Sequence, residues 1–313
     1  MDRGPREPAY GGIQTFCKFS HTRELEGVDV AVVGVPQDQA VTNRPGARFG
    51  PRAIREASQM YGSVYDEELG FYDIELGRHL LGGVRIVDYG DVPVQPTLTD
   101  FNLDLITEMF SVILQAGVFP LTLGGDHSIA FPVVRAFNGV ALDLVHFDTH
   151  ADFMDDEMGF GLRHTHGNPI KRISELPNIN RITQVGMRGL ETPGRVHQEA
   201  VARGSNIITA GEALENGMDW VVEQVPTAPN IYVTIDIDVL DPSVAPGTGT
   251  PEPGGFSYLE MKKILTALPE RGNVVGFDIV EVNPLFDCGG ITSLVAARLA
   301  LDFLAAILDG DKH

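Results

Sequence analysis

Eight short apolar runs, separated by segments with helical periodicity, limit the fold of this chain more than any other feature. The runs cover residues 28–35, 84–87, 118–123, 142–147, 181–187, 206–209, 231–237 and 273–279. Continuous runs rich in β-branched residues are typical of strands buried on both faces, and intervening helices favour parallel connections. The sequence therefore predicts an α/β fold: a single domain with an eight-stranded, mainly parallel sheet and helices on both faces.

The domain organisation follows from what the 313 residues lack. No internal repeat, low-complexity segment or convincing linker divides them, and one large sheet accounts for the length. Residues 1–26 are rich in polar residues, proline and glycine, with little periodicity. We therefore expect an N-terminal arm over 1–26 and one catalytic domain over 27–313.

Charge and cysteine usage exclude several classes of function. Asp and Glu number 43 against 23 Lys and Arg, so the formal charge is −20. Such a surface argues against nucleic acid or an anionic membrane as partner. The two cysteines, Cys17 and Cys288, are too few for a disulfide framework. Neither a signal peptide nor an apolar run approaching 18 residues is evident, so we expect a cytoplasmic protein that does not span a membrane.

Potential metal ligands follow four of the predicted strands. They occur in the segments GGDHS (His127), DTHAD (Asp148, His150, Asp152), DIDVLDP (Asp236, Asp238) and FDIVEVNP (Glu281). Alternate residues of an extended chain share one face, so the ligands within each segment can point at one spot. Ligands of open α/β sheets bind outside the carboxyl ends of the strands. The four segments therefore predict one site at that edge.

A pair of metal ions explains these ligands better than a salt bridge does. Asp236 and Asp238 lie in a β-branched run, where burying a carboxylate costs several kcal/mol unless a cation compensates. No Lys or Arg lies within the motifs, and four aspartates balance two divalent cations. Oxygen and imidazole ligands suit Mn²⁺, with Ni²⁺, Co²⁺ and Zn²⁺ as alternatives. The absence of thiolates argues against a structural zinc site.

Together and in this order, GGDHS, DTHAD and DIDVLDP resemble the motifs of the ureohydrolase family, which includes arginase, agmatinase and guanidinobutyrase. The resemblance implies an arginase-like fold and two Mn²⁺ ions. One ion would be held by His127, Asp148, Asp152 and Asp236, and the other by His150, Asp148, Asp236 and Asp238. It also implies that urea is cleaved from a small guanidino substrate, and that the protein is a homo-oligomer, either a trimer or a hexamer.

The same resemblance implies roles for residues around the metals. His166, in THGNP, would carry a proton to the leaving amine, although His164 is close enough in sequence to compete for that role. Glu281 would pair with the guanidinium group. Asp126 and Asp278 would orient the metal ligands.

The substrate tail is harder to predict. Arginases carry Asn two residues after the DxHxD motif, where this chain has Met154. The segments RPGARFGP and GTGTPEPGG also resemble the agmatinase and guanidinobutyrase branch. Acidic residues 155–157 would suit the ammonium of agmatine, with putrescine as product and a place in polyamine metabolism. Arg163 would instead suit a carboxylate tail, as in 4-guanidinobutyrate or 3-guanidinopropionate. A catalytically silent guanidinium-binding or supporting subunit is the alternative from another class.

Overall fold

An eight-stranded parallel sheet lies at the centre of the computed structural model, which describes residues 8–39, 41–156 and 159–309. In chain order its strands are β1 (Val30–Val35), β4 (Ile86–Asp91), β5 (Phe119–Gly124), β6 (Leu142–Phe147), β7 (Ile179–Met187), β8 (Asn206–Thr209), β9 (Ala228–Asp236) and β10 (Gly272–Val280). Their spatial order is β4-β1-β5-β10-β9-β6-β7-β8, and every neighbouring pair is parallel. The predicted α/β sheet is confirmed.

Helices cover both faces of this sheet, because each face is apolar. One face carries α1 (Gly50–Gly62), α6 (Ala210–Asn216), α7 (Met218–Gln224), α8 (Tyr258–Ala267) and α9 (Ile291–Asp309). The other carries α2 (Thr99–Gln115), α3 (Ala130–Arg135), α4 (Pro169–Ile173) and α5 (Gly194–Ala202). Two hydrophobic cores result, one on each side of the sheet.

The elements depart from the sequence-based prediction in two places. The helical pattern of residues 210–224 predicts one continuous helix, and this prediction is wrong, because Gly217 has φ of 89° and separates α6 from α7. That left-handed conformation costs glycine little and breaks the helix. A two-stranded antiparallel hairpin, β2 (Phe71–Asp73) with β3 (Arg78–Leu80), was not predicted, since its short strands lack a periodic signal.

The segment Cys288–Asp309, which contains α9, is long enough to cross a membrane, and its most apolar 18-residue window has a mean hydropathy of 1.9. That composition was not anticipated from the sequence. However, 61% of its most apolar window is buried inside the protein, where α9 packs against α1 and α8. A core helix accounts for the apolar character without a membrane.

Part of the expected N-terminal arm joins the core. Phe16 and Cys17 are buried, and the amide of Phe16 donates to Asp88 on β4. Residues 1–7 lie outside the described chain. The boundary at residues 26 and 27 stays a prediction.

Strand order decides where the polar motifs meet. β5, β10, β9 and β6 are the four central neighbours of the sheet, and each of the four predicted ligand segments follows one of them. Two glycines let β5 end close to its neighbours. A Cβ at Gly124 would lie 2.5 Å from Cγ1 of Val280, and one at Gly125 would lie 2.2 Å from the carbonyl oxygen of Gln37. The GGDHS segment thus needs glycine for close backbone approach.

Candidate metal centre

His127 lies at the middle of the first cluster of ligands. Its Nδ1 is 3.1 Å from Oδ2 of Asp148, 3.0 Å from Oδ2 of Asp152 and 3.3 Å from Oδ2 of Asp236. Asp126 caps the 3-10 turn His127–Ile129 by accepting from the amide of Ser128, and so directs His127 across the strand ends. The four residues predicted for one ion therefore meet around one nitrogen.

His150 defines a second cluster beside the first. Its Nδ1 lies 3.4 Å from Oδ1 of Asp148 and 3.3 Å from Oδ2 of Asp238. Asp148 thus directs one oxygen to each cluster, as a bridging carboxylate would. Asp236 behaves differently: Oδ2 faces His127, whereas Oδ1 accepts from the backbone amide of Asp238 at 2.9 Å. Asp236 was predicted to ligate both ions, but it makes no contact with His150 like the one that Asp148 makes.

Two acidic residues at the site, one of them a predicted metal ligand, have a left-handed backbone conformation. Asp152 has φ of 49° and Glu281 has φ of 63°. Such conformations cost non-glycine residues about 1–3 kcal/mol and cluster at functional sites. The surrounding fold therefore stabilises these two side chains against local preference.

Electrostatics show that the clusters need positive charge. Burial, together with Asp238 and Asp148, raises the pKa of Asp236 well above its ordinary value. Burial also raises the pKa of Asp238 and of Asp152, and the charge of Asp148 adds to both. Throughout the described ranges, the four aspartates form ion pairs with histidines only. No described lysine or arginine forms an ion pair with these four carboxylates.

The pKa values of the histidines are raised by neighbouring carboxylates, although burial alone would lower them. Burial disfavours the charged ring of His127, but hydrogen bonds to Asp148, Asp152 and Asp236 raise its pKa well above normal. His150 behaves likewise, with Asp238 and Asp148 outweighing burial. Burial would also raise the pKa of Asp148, yet the surrounding histidines hold it well below its usual range. In this structure protons and histidines balance charge that divalent cations would otherwise balance.

These residues fit divalent metal ions. Nδ1 of His127 is buried and makes no hydrogen bond that satisfies its geometry, although three carboxylate oxygens surround it. Imidazole nitrogens and carboxylate oxygens are ligands that first-row divalent metals accept. Donor atoms of His127, His146, Asp148 and Asp152 form one group within 4.8 Å, and those of Asp148, His150 and Asp238 form another.

A cavity of about 60 Å³ opens over the two clusters. Its walls comprise Thr42, His150, Asp152, Met154, His166, Gly167, Glu191, Thr192, Val196, Asp236 and Thr250. Polar atoms face the strand ends, while Met154 and Val196 supply apolar wall.

Glu281 and His166 face each other beside this cavity. Oε1 of Glu281 accepts from the amide of His127 at 2.9 Å and lies 3.2 Å from Nδ1 of His166. Oε2 is buried without a hydrogen-bond partner in the described chain. Burial lowers the pKa of His166, but the hydrogen bond and charge of Glu281 outweigh it and raise the value to about 9.

Thr42 contacts the other nitrogen of the same ring. Its amide donates to Nε2 of His166 at 3.1 Å, and its hydroxyl lies 2.7 Å from that atom. An amide donor disfavours a proton on Nε2, which opposes the raised pKa. The Glu281 carboxylate has the larger effect on the pKa of His166, since a charge outweighs one neutral donor. Nε2 must therefore move away from Thr42 before it carries a proton.

The remaining predicted residues lie outside the cavity lining. His164 stacks on Phe131, with ring centroids 5.6 Å apart, so only His166 is placed beside Glu281. Arg163 pairs with Asp155 and Glu175, each at 3.4 Å, and is half exposed. Of the acidic residues 155–157, the last lies outside the described residues.

Several residues at the site were not predicted. His146 and Thr234 each lie two residues before a predicted ligand, so their period of two was an available signal. Thr234 and Tyr232 donate from their hydroxyls to Asp278, at 2.6 and 2.8 Å, and Asp278 itself was predicted to orient the metal ligands. Glu191 and Thr42 come from loops, and no pattern in the sequence indicates that these loops reach the cavity.

Comparison with known proteins agrees with this geometry. Residues 28–306 match the Arginase family. The chain belongs to the arginase family. It is 37% identical to guanidinopropionase from Pseudomonas aeruginosa, over 96% of this chain and 94% of that protein. It is also 37% identical to an agmatinase from Chromobacterium violaceum, over 95% of this chain and 89% of that protein.

Solved structures place the chain in the same family. A hypothetical agmatinase from Burkholderia thailandensis superposes with a TM-score of 0.85 at 33% identity, covering 100% of this chain and 98% of that one. The predicted ureohydrolase family and arginase-like fold are therefore confirmed. Family membership makes the chain a ureohydrolase of a family that depends on a binuclear metal centre.

Proposed function

We propose that this chain cleaves urea from a linear guanidino compound, and that agmatine, giving putrescine, is the preferred substrate. Two divalent ions, Mn²⁺ by preference, would be held by His127, Asp148, Asp152, Asp236, His150 and Asp238. Bound there, such a pair supplies a nucleophile from water near neutral pH and polarises the substrate.

The observation that carries the proposal is the free oxygen of Glu281. Its Oε2 is buried and unpartnered in the described chain, while its Oε1 contacts the amide of His127 and the ring of His166, which lines the cavity. A guanidinium group offers N–H donors in a planar fork that matches a carboxylate. Glu281 would orient the substrate and oppose its charge. His166, paired with Glu281 through Nδ1, would hold the proton that the leaving amine needs.

The charge of the cavity mouth supports agmatine over a guanidino acid. Glu191 lines the cavity with its side chain half exposed, and a hydrogen bond to His150 lowers its pKa, so the carboxylate is charged near neutral pH. Among the residues described there, neither lysine nor arginine lines the cavity. A carboxylate tail would meet repulsion, whereas an ammonium tail would be attracted.

The second candidate is a guanidino-acid hydrolase. It is favoured by similarity to proteins named guanidinopropionase and guanidinobutyrase, at 37% and 35% identity. The chain is equally similar to agmatinases, at 37% and 35% identity, so sequence identity does not distinguish between the two candidate functions. Arg163, the residue predicted for a carboxylate tail, is engaged by Asp155 and Glu175 instead.

One substrate panel tests the proposal. The Mn²⁺-loaded protein is incubated with agmatine, 4-guanidinobutyrate, 3-guanidinopropionate, arginine and guanidine, and urea is measured. We expect the highest kcat/KM with agmatine. Urea from the guanidino acids alone would establish the second candidate, and urea from none would favour a silent subunit. We further propose a cytoplasmic homo-oligomer, which fractionation and light scattering can test.

A further inference from the structure

A row of buried polar side chains crosses the sheet within the strands, just before the strand ends that carry the metal ligands. Strand register aligns His146 with Gln184 on one side and with Thr234 on the other, and it aligns Thr234 with Asp278. All four side chains are fully buried. Because side chains alternate along a strand, His146 shares a face with Asp148 two residues on. This polar row therefore supports the clusters from beneath.

His146 has two possible roles in this row. Its Nε2 lies 2.8 Å from Oδ2 of Asp148, and its donor atoms group with those of His127 and Asp152 closely enough to hold an ion. On distance alone it could be another metal ligand. A ligand nitrogen must present a lone pair, whereas a supporting nitrogen must present a hydrogen. The position of the proton on His146 decides between these roles.

Gln184 fixes that proton. Its Nε2 lies 2.8 Å from the carbonyl oxygen of Ala151, which can only accept, so this side-chain atom is the amide nitrogen and not the oxygen. The same nitrogen lies 3.0 Å from Nδ1 of His146. It donates there, so Nδ1 carries no hydrogen. Nε2 is therefore the ring nitrogen that carries a hydrogen, which it donates to Asp148.

We propose that His146 is a positioning residue, which holds Oδ2 of Asp148 by donating a hydrogen bond and does not ligate metal. Thr234 performs the matching task for His127. Its hydroxyl donates to Asp278 and so accepts from Nε2 of His127, at 2.9 Å, which leaves Nδ1 as the ring nitrogen that can bind metal. The polar row thus sets the proton positions of both histidines. The inference rests on the proposed metal centre and not on the choice of substrate.

Metal binding by variants tests the role of His146. The proteins compared are wild type, His146→Gln, which can still donate near the Nε2 position, and His146→Leu, which cannot. Affinity for Mn²⁺ alone is measured by calorimetry, and metal content at saturation by mass spectrometry. We expect His146→Leu to weaken affinity by about 10–100-fold while the number of ions stays the same. His146→Gln should recover most of the loss.

Thr183→Val is the matched control, because Thr183 is buried on the same strand as Gln184 and points to the opposite face. It should leave Mn²⁺ affinity unchanged. Loss of one ion in both His146 variants would overturn the proposal and make His146 a ligand. Unchanged affinity in His146→Leu would overturn it as well.

A second measurement needs no variant and no turnover. Nitrogen-15 spectra of histidine-labelled wild-type protein report which ring nitrogen carries hydrogen. We expect the hydrogen of His146 on Nε2, both without metal and after loading with diamagnetic Zn²⁺. A hydrogen on Nδ1 would overturn the proposal. If no guanidino compound yields urea, the proposed function fails while these metal and proton measurements still decide the role of His146.

Discussion

Oε1 of Glu281 lies 3.2 Å from Nδ1 of His166, although 115 residues separate them in the chain. The same oxygen accepts from the amide of His127, so one buried carboxylate contacts both the proposed proton carrier and the first metal-ligand segment. Glu281 therefore links substrate orientation to proton delivery.

Replacing Glu281 with Gln should lower kcat/KM at least about 100-fold, because the neutral amide neither pairs with a guanidinium nor favours a charged His166. The pKa of His166 should fall from about 9 toward its ordinary 6.5. Proton NMR and the pH profile of kcat measure this shift. Unchanged metal content and melting temperature serve as controls. An unaltered pH profile would contradict the pairing.

The pair of Glu281 and His166 also contributes to the stability of the folded protein, and this contribution depends on pH. A raised pKa in the folded state means that His166 stabilises the protein fully below its unfolded value of about 6.5, and that this contribution is lost as pH rises through about 9. In Glu281→Gln the contribution should be absent. Urea unfolding of both metal-loaded proteins at pH 6 and pH 9.5 measures it, and an equal change in unfolding free energy would count against it.

Replacing His150 or Asp238 with Ala should deplete bound metal and abolish urea release, since each removes a ligand from the second cluster. The matched control is Asp241→Asn. Asp241 belongs to the same DIDVLDP segment, but its carboxylate accepts from Ser243 and Gly254, outside the two ligand groups. The control should keep its metal. Full metal and wild-type turnover in either alanine variant would refute the ligand assignment.

Removing the metal should make stability fall as pH rises. The folded pKa values of Asp236, His127 and His150 are all raised, so the metal-free protein binds more protons folded than unfolded. The stability that these groups contribute decreases as pH rises above their ordinary pKa values, which are 3.8 for Asp236 and 6.5 for the histidines. We expect the gap in melting temperature between Mn²⁺-loaded and chelated protein to widen from pH 6 to pH 9. A constant gap would mean that these groups are not the metal ligands.

Glu191→Gln should raise KM for agmatine several-fold, with a smaller effect on kcat, because it removes the acidic group at the cavity mouth. Activity toward 4-guanidinobutyrate should hold or improve, as repulsion is relieved. Glu215→Gln on the exposed part of α6 is the matched control and should change neither. An equal loss of activity toward both substrates would show that Glu191 does not distinguish between their tails.

Gly125→Ala should destabilise the fold by about 1–3 kcal/mol, because its Cβ would lie 2.2 Å from the carbonyl oxygen of Gln37. Since the carbonyl of Gly125 also accepts from the amide of Glu281, activity should fall too. Gly211→Ala, in helix α6 with no atom within 4 Å of the new Cβ, is the control and should be neutral or stabilising. Denaturant unfolding measures both.

The sequence was informative where local pattern and chemistry coincide. Buried runs predicted all eight strands, and the acidic residues and histidines at their ends predicted one cluster of side chains, because a buried carboxylate such as Asp236 needs compensation. That these residues ligate metal stays a prediction. The hairpin of β2 and β3 was not predictable, since its strands have three residues each. Glu191 and Thr42 were missed because tertiary packing alone brings their loops to the cavity. His146 lay inside an apolar run, where its proton position depends on Gln184 of the neighbouring strand.

Strand β10 is the last of the described strands in the chain, yet it lies between β5 and β9 and, among those strands, it alone joins the two halves of the sheet. The strands β4, β1 and β5 form one half of the sheet and β9, β6, β7 and β8 the other, and residues 272–280 supply the backbone hydrogen bonds between the halves. Fragments that end before this point would carry every proposed metal ligand without the strand that brings them together.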